Sequence, residues 1–279
     1  MSRKATVLFQ RCLMLWVLGF LLSAYSTVDG LEVMDWSMPY GVLGGIARIT
    51  NWLCDHHDEP ALVHLLALAT IALAALEVLR GPSWWRALLI WMFYVNLMNN
   101  AWLASSGGQQ LIANVLFWNI LLAPPGASNA AFVAKEVGFW AIRLQLLVAY
   151  LATALHKATG HSWPDGTALG IIATDPAFAS PWLAAHPAAA QWLTWCTLLF
   201  QLTFPLAVWF LRTRYVWLVA GLAFHLLTAF WMDIPEMGLA FLVVYTLWLD
   251  EGFIQRSSAL RWLAKRTGHS SGTEALVSR

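Results

Sequence analysis

The sequence predicts an all-α protein, a polytopic helix bundle embedded in a lipid bilayer. Three observations carry that expectation. Hydrophobic residues make up 59% of the 279 residues and charged residues only 11%, against about 45–50% and about 25% in soluble domains. Mean hydropathy is +0.62, and 18 tryptophans supply rings of the kind that gather at membrane interfaces. The apolar residues also fall in long runs separated by short polar segments. The same composition excludes a disordered chain, which needs low hydrophobicity and high charge. A net charge of +1 gives no reason to expect nucleic acid as a partner. The lipid bilayer is the partner that composition predicts.

A membrane helix needs about 20 predominantly apolar residues. Eight runs are candidates, at about 8–25, 61–79, 84–103, 109–123, 137–157, 190–211, 214–232 and 236–250. Arg3, Lys4 and Arg11 precede or open the first, and Ala24-x-Ser26 resembles a signal-peptidase site. The run from Phe9 to Tyr25 is long for a signal peptide, so it reads as a span. The fourth is the shortest, interrupted by Asn114 and Asn119 and stopped by Pro124-Pro125. Its roughly 15 residues cover only about 22 Å of a roughly 30 Å core. Two long loops, about 26–60 and 158–189, carry Trp, Pro and Gly and are expected at the interface. Residues 1–255 read as one bundle and 256–279 as a basic cytoplasmic tail.

Charge sets the orientation. With the N-terminus in the cytoplasm and eight crossings, 13 of the 16 lysines and arginines fall inside. Only Arg48 and Lys157 fall outside, and Arg143 lies within a span. Most acids, including Asp29, Glu32, Asp58, Asp165 and Glu236, fall outside. This positive-inside bias predicts both termini in the cytoplasm. The three cysteines form no CxxC and no even set, so no disulfide framework is expected.

Polar groups within spans are functional candidates by default. Asn96, Asn99 and Asn100 share one face of the third span at i, i+3, i+4. They either bond between helices or line a cavity. Glu136, Arg143, Tyr150 and Lys157 recur every seven residues along the fifth span. Arg143, in the apolar region, calls for a partner, and Glu77 and Glu136 are the nearest carboxylates in depth. Lys157 stands at the outer end beside His156. It serves as a base only where its surroundings favour the neutral amine, and a helix C-terminus favours the cation instead. A snorkelling role is open beside the catalytic one. His225, inside the seventh span and three residues from Thr228, is either a core residue or a site residue. Gln201 of the sixth span comes near it if those helices pair. Asp55-His56-His57-Asp58-Glu59 offers imidazoles and carboxylates, but adjacent histidines point poorly at one ion and no HExxH occurs. No metal is expected.

Four strings, in this order, carry a resemblance. They are NNAWLASSGGQQLIANVLFWNILLAPPG from Asn99, AYLATALHKATGHSWPDGTA from Ala149, TLLFQLTFPLAVWFLRTR from Thr197 and GLAFHLLTAFWMDIPEMGLAFL from Gly221. Together they resemble the integral-membrane domain of the vitamin K-dependent gamma-carboxylases and the wider bacterial HTTM (horizontally transferred transmembrane domain) group. The resemblance covers about residues 5–250. It implies a reduced quinone as cofactor and a lysine before a Trp-x-x-Gly segment as its base. Lys157, ahead of Trp163-Pro-Asp165-Gly166, is the match, with a local spacing one residue longer. In that chemistry, deprotonating the hydroquinone lets oxygen add, and the strong base so formed takes a glutamate γ-proton before carbon dioxide adds. Two departures stand out. The carboxylases carry Asn-His where Asn99-Asn100 is followed by Ala101, and they have a large lumenal domain. Some HTTM proteins resemble factors that mature a secreted toxin peptide with partner proteins. The sequence thus leaves two functions open. One is a quinone-dependent, peptide-modifying membrane enzyme; the other is a non-catalytic membrane partner for maturation or export of a secreted peptide.

Overall fold

The computed structural model describes residues 3–25, 59–100, 106–124, 128–176, 178 and 180–264. The chain forms α1 (Arg3–Tyr25), α2 (Glu59–Arg80), α3 (Trp84–Asn100), α4 (Gly107–Leu122) and α5 (Asn129–Thr159). Two short helices, α6 (Ala168–Thr174) and α7 (Pro181–Ala184), precede α8 (Pro187–Ala207), α9 (Leu211–Trp231) and α10 (Pro235–Tyr245). A 3-10 turn, Thr246–Trp248, leads to α11 (Glu251–Arg256) and α12 (Ser258–Leu263). No strand occurs among the described residues.

Each anticipated run contains a helix, and the boundaries differ where polar residues join in. Ser128 caps α5 by accepting from Ala131 N–H at 3.2 Å, so the helix starts ahead of the apolar run and carries Lys135 and Glu136. Its 31 residues extend about 46 Å at the helical rise, more than a bilayer core. The fourth run starts at a capping box. Ser106 accepts from Gly108 N–H at 3.2 Å, and Gln109 Oε1 accepts from Ser106 N–H at 2.8 Å. Among the described residues, four helices are long and apolar enough to cross a membrane: α1, α2, α5 and α9. The segments α3, α4 and α10 run for 17, 16 and 11 residues.

The bundle encloses one large core. It is built from Phe9, Leu13, Val17, Ile90, Tyr94, Ile112, Leu116, Ile142, Phe204 and Trp248, among others. α1 belongs to it fully, packing on α2 and α10. Gln10 Nε2 donates to the buried Asn119 Oδ1 at 3.2 Å, and Trp16 Nε1 donates to Glu236 O at 3.1 Å. The outer surface is apolar too. Leu65, Leu79, Val216 and Phe230 are 62–78% exposed, as a lipid solvent permits and water does not.

Residues 251–264 pack back on the start of α1. Ile254 and Ala264 pack on Ala5 and Leu8 of α1, and Arg11 Nη1 donates to Leu263 O at 2.6 Å. Asp250 caps α11, accepting from Phe253 N–H at 2.7 Å, and also accepts from the Tyr215 hydroxyl.

The expected pairing of Arg143 with Glu77 and Glu136 is replaced by another arrangement. Glu77 is taken by Arg86 across the α2–α3 turn, Nε to Oε1 at 3.2 Å. Glu136 stands seven residues back on the same helix as Arg143, about 10 Å along the axis. Arg143 instead donates from Nε and Nη2 to Leu247 O at 3.2 and 2.7 Å. Its guanidinium lies 4.2 Å from the Trp248 ring centre and 4.5 Å from that of Phe139. The reason is local. Where α10 tightens into the 3-10 turn, the carbonyl of Leu247 is left outside the helical ladder, and aromatic faces complete the cation's shell.

Candidate functional site

Helices α5, α8, α9 and α10 line a partly open cavity of about 640 Å³, with the start of α4, α6, α7 and the turn after α5 completing its walls. That size suits a small-molecule pocket. Its walls are mainly apolar, with Leu111, Leu193, Phe224, Trp231 and Phe241 among them.

Lys157 enters it from the last turn of α5. Its Nζ donates to Gln201 Oε1 of α8 at 3.0 Å and lies 4.0 Å from the Trp163 ring centre. Among the described residues no carboxylate pairs with it. The turn holding Trp163 is fixed twice. Gly166, at φ +77°, closes it, and an added Cβ there would meet Trp195 at 2.9 Å, so only glycine fits. Trp195 Nε1 donates to Pro164 O at 2.9 Å.

A second polar group lies two turns back on α5. Tyr150 OH meets His225 Nε2 at 2.5 Å and also bonds to the Tyr245 hydroxyl. Tyr150 and His225 line the cavity. The helices touch closely here. A Cβ on Gly221 would stand 2.0 Å from Tyr245 Oη, and one on Gly238 2.4 Å from His225 O. These two glycines let α9 and α10 approach far enough for the three rings to meet. His225 also stacks on Phe241, centres 4.6 Å apart.

Of the residues predicted from the sequence, Lys157, His225, Gln201 and Trp163 gather on this cavity. Asn96 does not; its Nδ2 donates to Met92 O of its own helix at 2.7 Å. His156 and Asp165 are exposed and do not line the cavity. The side chains of Asn99 and Asn100, and residues His56 and His57, lie outside the described residues. Sequence reasoning missed Tyr245, and it placed Tyr150 on the stripe with Lys157 without giving it a role. It also missed Thr197, Ser180 and Gln110, which add hydroxyls and an amide to the walls.

Comparison with known proteins gives one informative relative. The chain is 24% identical over 158 residues to the sporulation-delaying protein SdpB of Bacillus subtilis (strain 168). The match covers 52% of this chain and 46% of the relative, so the chain spans about half the length of the curated relative it matches. No protein-family model and no solved structure matches. The similarity supports a membrane protein, as the apolar helices do.

Proposed function

We propose that the chain is a membrane enzyme that takes a reduced quinone into this cavity, with Lys157 as base for a ring hydroxyl. Eight crossings with both termini in the cytoplasm place the Lys157 end on the outer side of the inner membrane. The setting of Lys157 carries this reading. A lysine that only snorkels sends its amine to the headgroups. This one lines an apolar cavity, and its hydrogen-bond partner is a neutral amide. Such an amine is placed to exchange a proton with a bound molecule.

The residues present fit the group. Phe224, Phe241 and Leu111 offer flat apolar walls, and polar atoms stand at the Lys157–Gln201 and Tyr150–His225 positions. A bound reduced quinone supplies an ionisable hydroxyl and two reducing electrons. Lys157 Nζ takes the hydroxyl proton, Gln201 Oε1 orients the amine, and the Trp163 face holds the resulting cation. A secreted peptide arriving from the outer side is the substrate class this orientation favours.

Oxygen uptake tests the reading. Protein purified into lipid nanodiscs and given a naphthohydroquinone consumes oxygen above the autoxidation background, and Lys157→Ala returns it to background. No uptake by the wild type, or equal uptake by Lys157→Ala, refutes the enzyme. Co-purification with a secreted peptide, and cellular function retained in Lys157→Ala, would establish the non-catalytic partner instead.

A further inference from the structure

Away from the cavity, two arginines gather against one indole. Arg143 stands about four turns before Lys157 on α5, about 21 Å at the helical rise. Arg214 comes from the first turn of α9. Their guanidinium carbons lie 4.2 and 6.0 Å from the Trp248 ring centre, which sets them within about 10 Å of each other. Their like charges repel. Among the described residues, no carboxylate comes within ion-pair distance of either. Asp250 acts on Arg214 only at longer range, and its oxygens are engaged by the Tyr215 hydroxyl and the Phe253 N–H.

Both arginines keep donors in reserve. Arg143 uses Nε and Nη2 on Leu247 O. Arg214 donates from Nε to Val208 O at 3.1 Å and from Nη2 to Trp209 O at 3.4 Å. A guanidinium carries five N–H donors, and in each residue Nη1 has no acceptor among the described residues. Neither Nη1 is among the buried polar atoms that lack a partner, so both retain accessible surface. That surface is aromatic. Trp140 and Trp209 are 42% and 39% exposed and stack with centres 5.9 Å apart. Arg143 Cζ lies 5.3 Å from the Trp140 ring centre, and Arg214 bonds the Trp209 backbone. Each cation is thus tied to one member of the exposed stack.

We infer that Arg143 and Arg214 form a binding site for the phosphate of an anionic phospholipid. Two like charges set in apolar surroundings without a counter-ion are costly. A phosphate offsets their repulsion and supplies acceptors for the unused N–H groups. Charge-assisted bonds of about 2.8 Å at either end let one phosphoglycerol group reach both guanidiniums. Basic pockets between membrane helices take anionic headgroups in this way. The stacked indoles decide for a lipid over a free anion, because exposed tryptophans on a membrane protein stand at the headgroup level and offer apolar surface to glycerol and acyl chain. The charge pattern decides for phosphatidylglycerol over phosphatidylcholine, whose own quaternary amine adds a third cation to the site. The site is independent of the cavity and of what the cavity holds.

Native mass spectrometry of the full chain tests the inference, with the protein released from detergent micelles that carry phosphatidylglycerol and phosphatidylcholine of the same acyl chains in equal amounts. The wild type retains one phosphatidylglycerol in preference to phosphatidylcholine. Arg214→Gln lowers that affinity about ten- to hundredfold, the scale of charge-assisted hydrogen bonds, and Arg214→Lys keeps most of it. Arg80→Gln removes an exposed charge at the end of α2 and leaves the adduct unchanged. Trp140→Glu sets a carboxylate beside Arg143 at an exposed position and displaces the lipid, which decides the matter if Arg214→Gln does not fold. A wild type without preference, retention of phosphatidylglycerol in the folded Arg214 or Trp140 variant, or an equal loss in Arg80→Gln overturns the inference. So does displacement of the lipid by millimolar inorganic phosphate, which would make the occupant a free anion.

Discussion

Replacing Gly221 by alanine tests how the site is assembled. The new Cβ would stand 2.0 Å from Tyr245 Oη and 2.7 Å from its Cε2 and Cζ. Comfortable carbon contacts begin near 3.5 Å, so the ring must retreat by about 1 Å or α9 must shift. Neither is easy. Tyr245 is stacked on Phe204 with centres 5.3 Å apart, and Gly238 already holds the α9 and α10 backbones at close approach. Overpacking of this kind costs about 1–3 kcal/mol. Pulling Tyr245 from Tyr150 leaves buried hydroxyl capacity unmet, for about 1–3 kcal/mol more. The expected loss is thus about 2–6 kcal/mol. The assay is reversible unfolding in mixed micelles, titrated with SDS and followed by tryptophan fluorescence. Gly19→Ala is the control, because nothing lies within 4 Å of its added Cβ; it is expected to be neutral or to stabilise by about 0.5–1 kcal/mol. In a Tyr245→Phe background the nearest contact is gone, so Gly221→Ala costs about 1 kcal/mol less, read as a coupling energy. A Gly221→Ala protein as stable as the wild type, or zero coupling in the cycle, refutes this account of the α9–α10 contact.

Lys157→Arg keeps a cation and hydrogen-bond donors but supplies no base, since arginine stays protonated; naphthoquinone binding should persist while oxygen uptake falls to background. Arg143→Lys loses the forked donation to Leu247 O and the fit between Phe139 and Trp248. It is expected to cost about 1–3 kcal/mol in the same unfolding titration, and a neutral result would show the guanidinium to be dispensable. Asp250→Ala removes the α11 cap and the acceptor for Tyr215, for about 1 kcal/mol, checked by faster proteolysis after residue 250. The Tyr215 hydroxyl and the Phe253 N–H also hold the Asp250 carboxyl below its usual pKa. A depressed folded value means the contribution is complete above the ordinary aspartate pKa of about 3.9 and is lost as pH falls through the lower folded value. Asp250→Asn should flatten that acid limb of the stability profile.

The helices were legible because long apolar runs have few alternatives in a chain of this composition. Their ends were not, and the reason differs from place to place. At Val208–Phe210 the chain turns between α8 and α9 with no polar residue to mark it. The released carbonyls are met from farther on, Thr213 Oγ1 donating to Ala207 O at 2.6 Å and Arg214 Nε to Val208 O at 3.1 Å. Residues 168–174 and 181–184 are too short to register as spans, so a loop was expected where α6 and α7 roof the cavity. Leu260 and Leu263, packed beside Ile254 and Ala264, tie down a segment whose basic charge reads as solvated tail.

The site divides along a different line. Lys157 and His225 stood out because charge is rare in this chain, and rarity is what a sequence displays directly. Asn96 stood out equally and does not line the cavity, and composition cannot distinguish a polar group on a cavity wall from one elsewhere in the bundle. The tyrosines failed in the opposite sense. Within an apolar run Tyr150 and Tyr245 read as core, and their rings do pack there, Tyr150 against Phe204 at 4.4 Å. Only their hydroxyls carry chemistry, and those acquire a direction only once Gly221 and Gly238 bring α9 and α10 together. The signal that was available was spacing: Tyr150 precedes Lys157 by seven residues, so the two share a face of α5. A tyrosine one heptad from a half-buried lysine in a membrane helix is therefore a site candidate before any partner is known, and Gly221 leaves the room in which the Tyr245 hydroxyl reaches it.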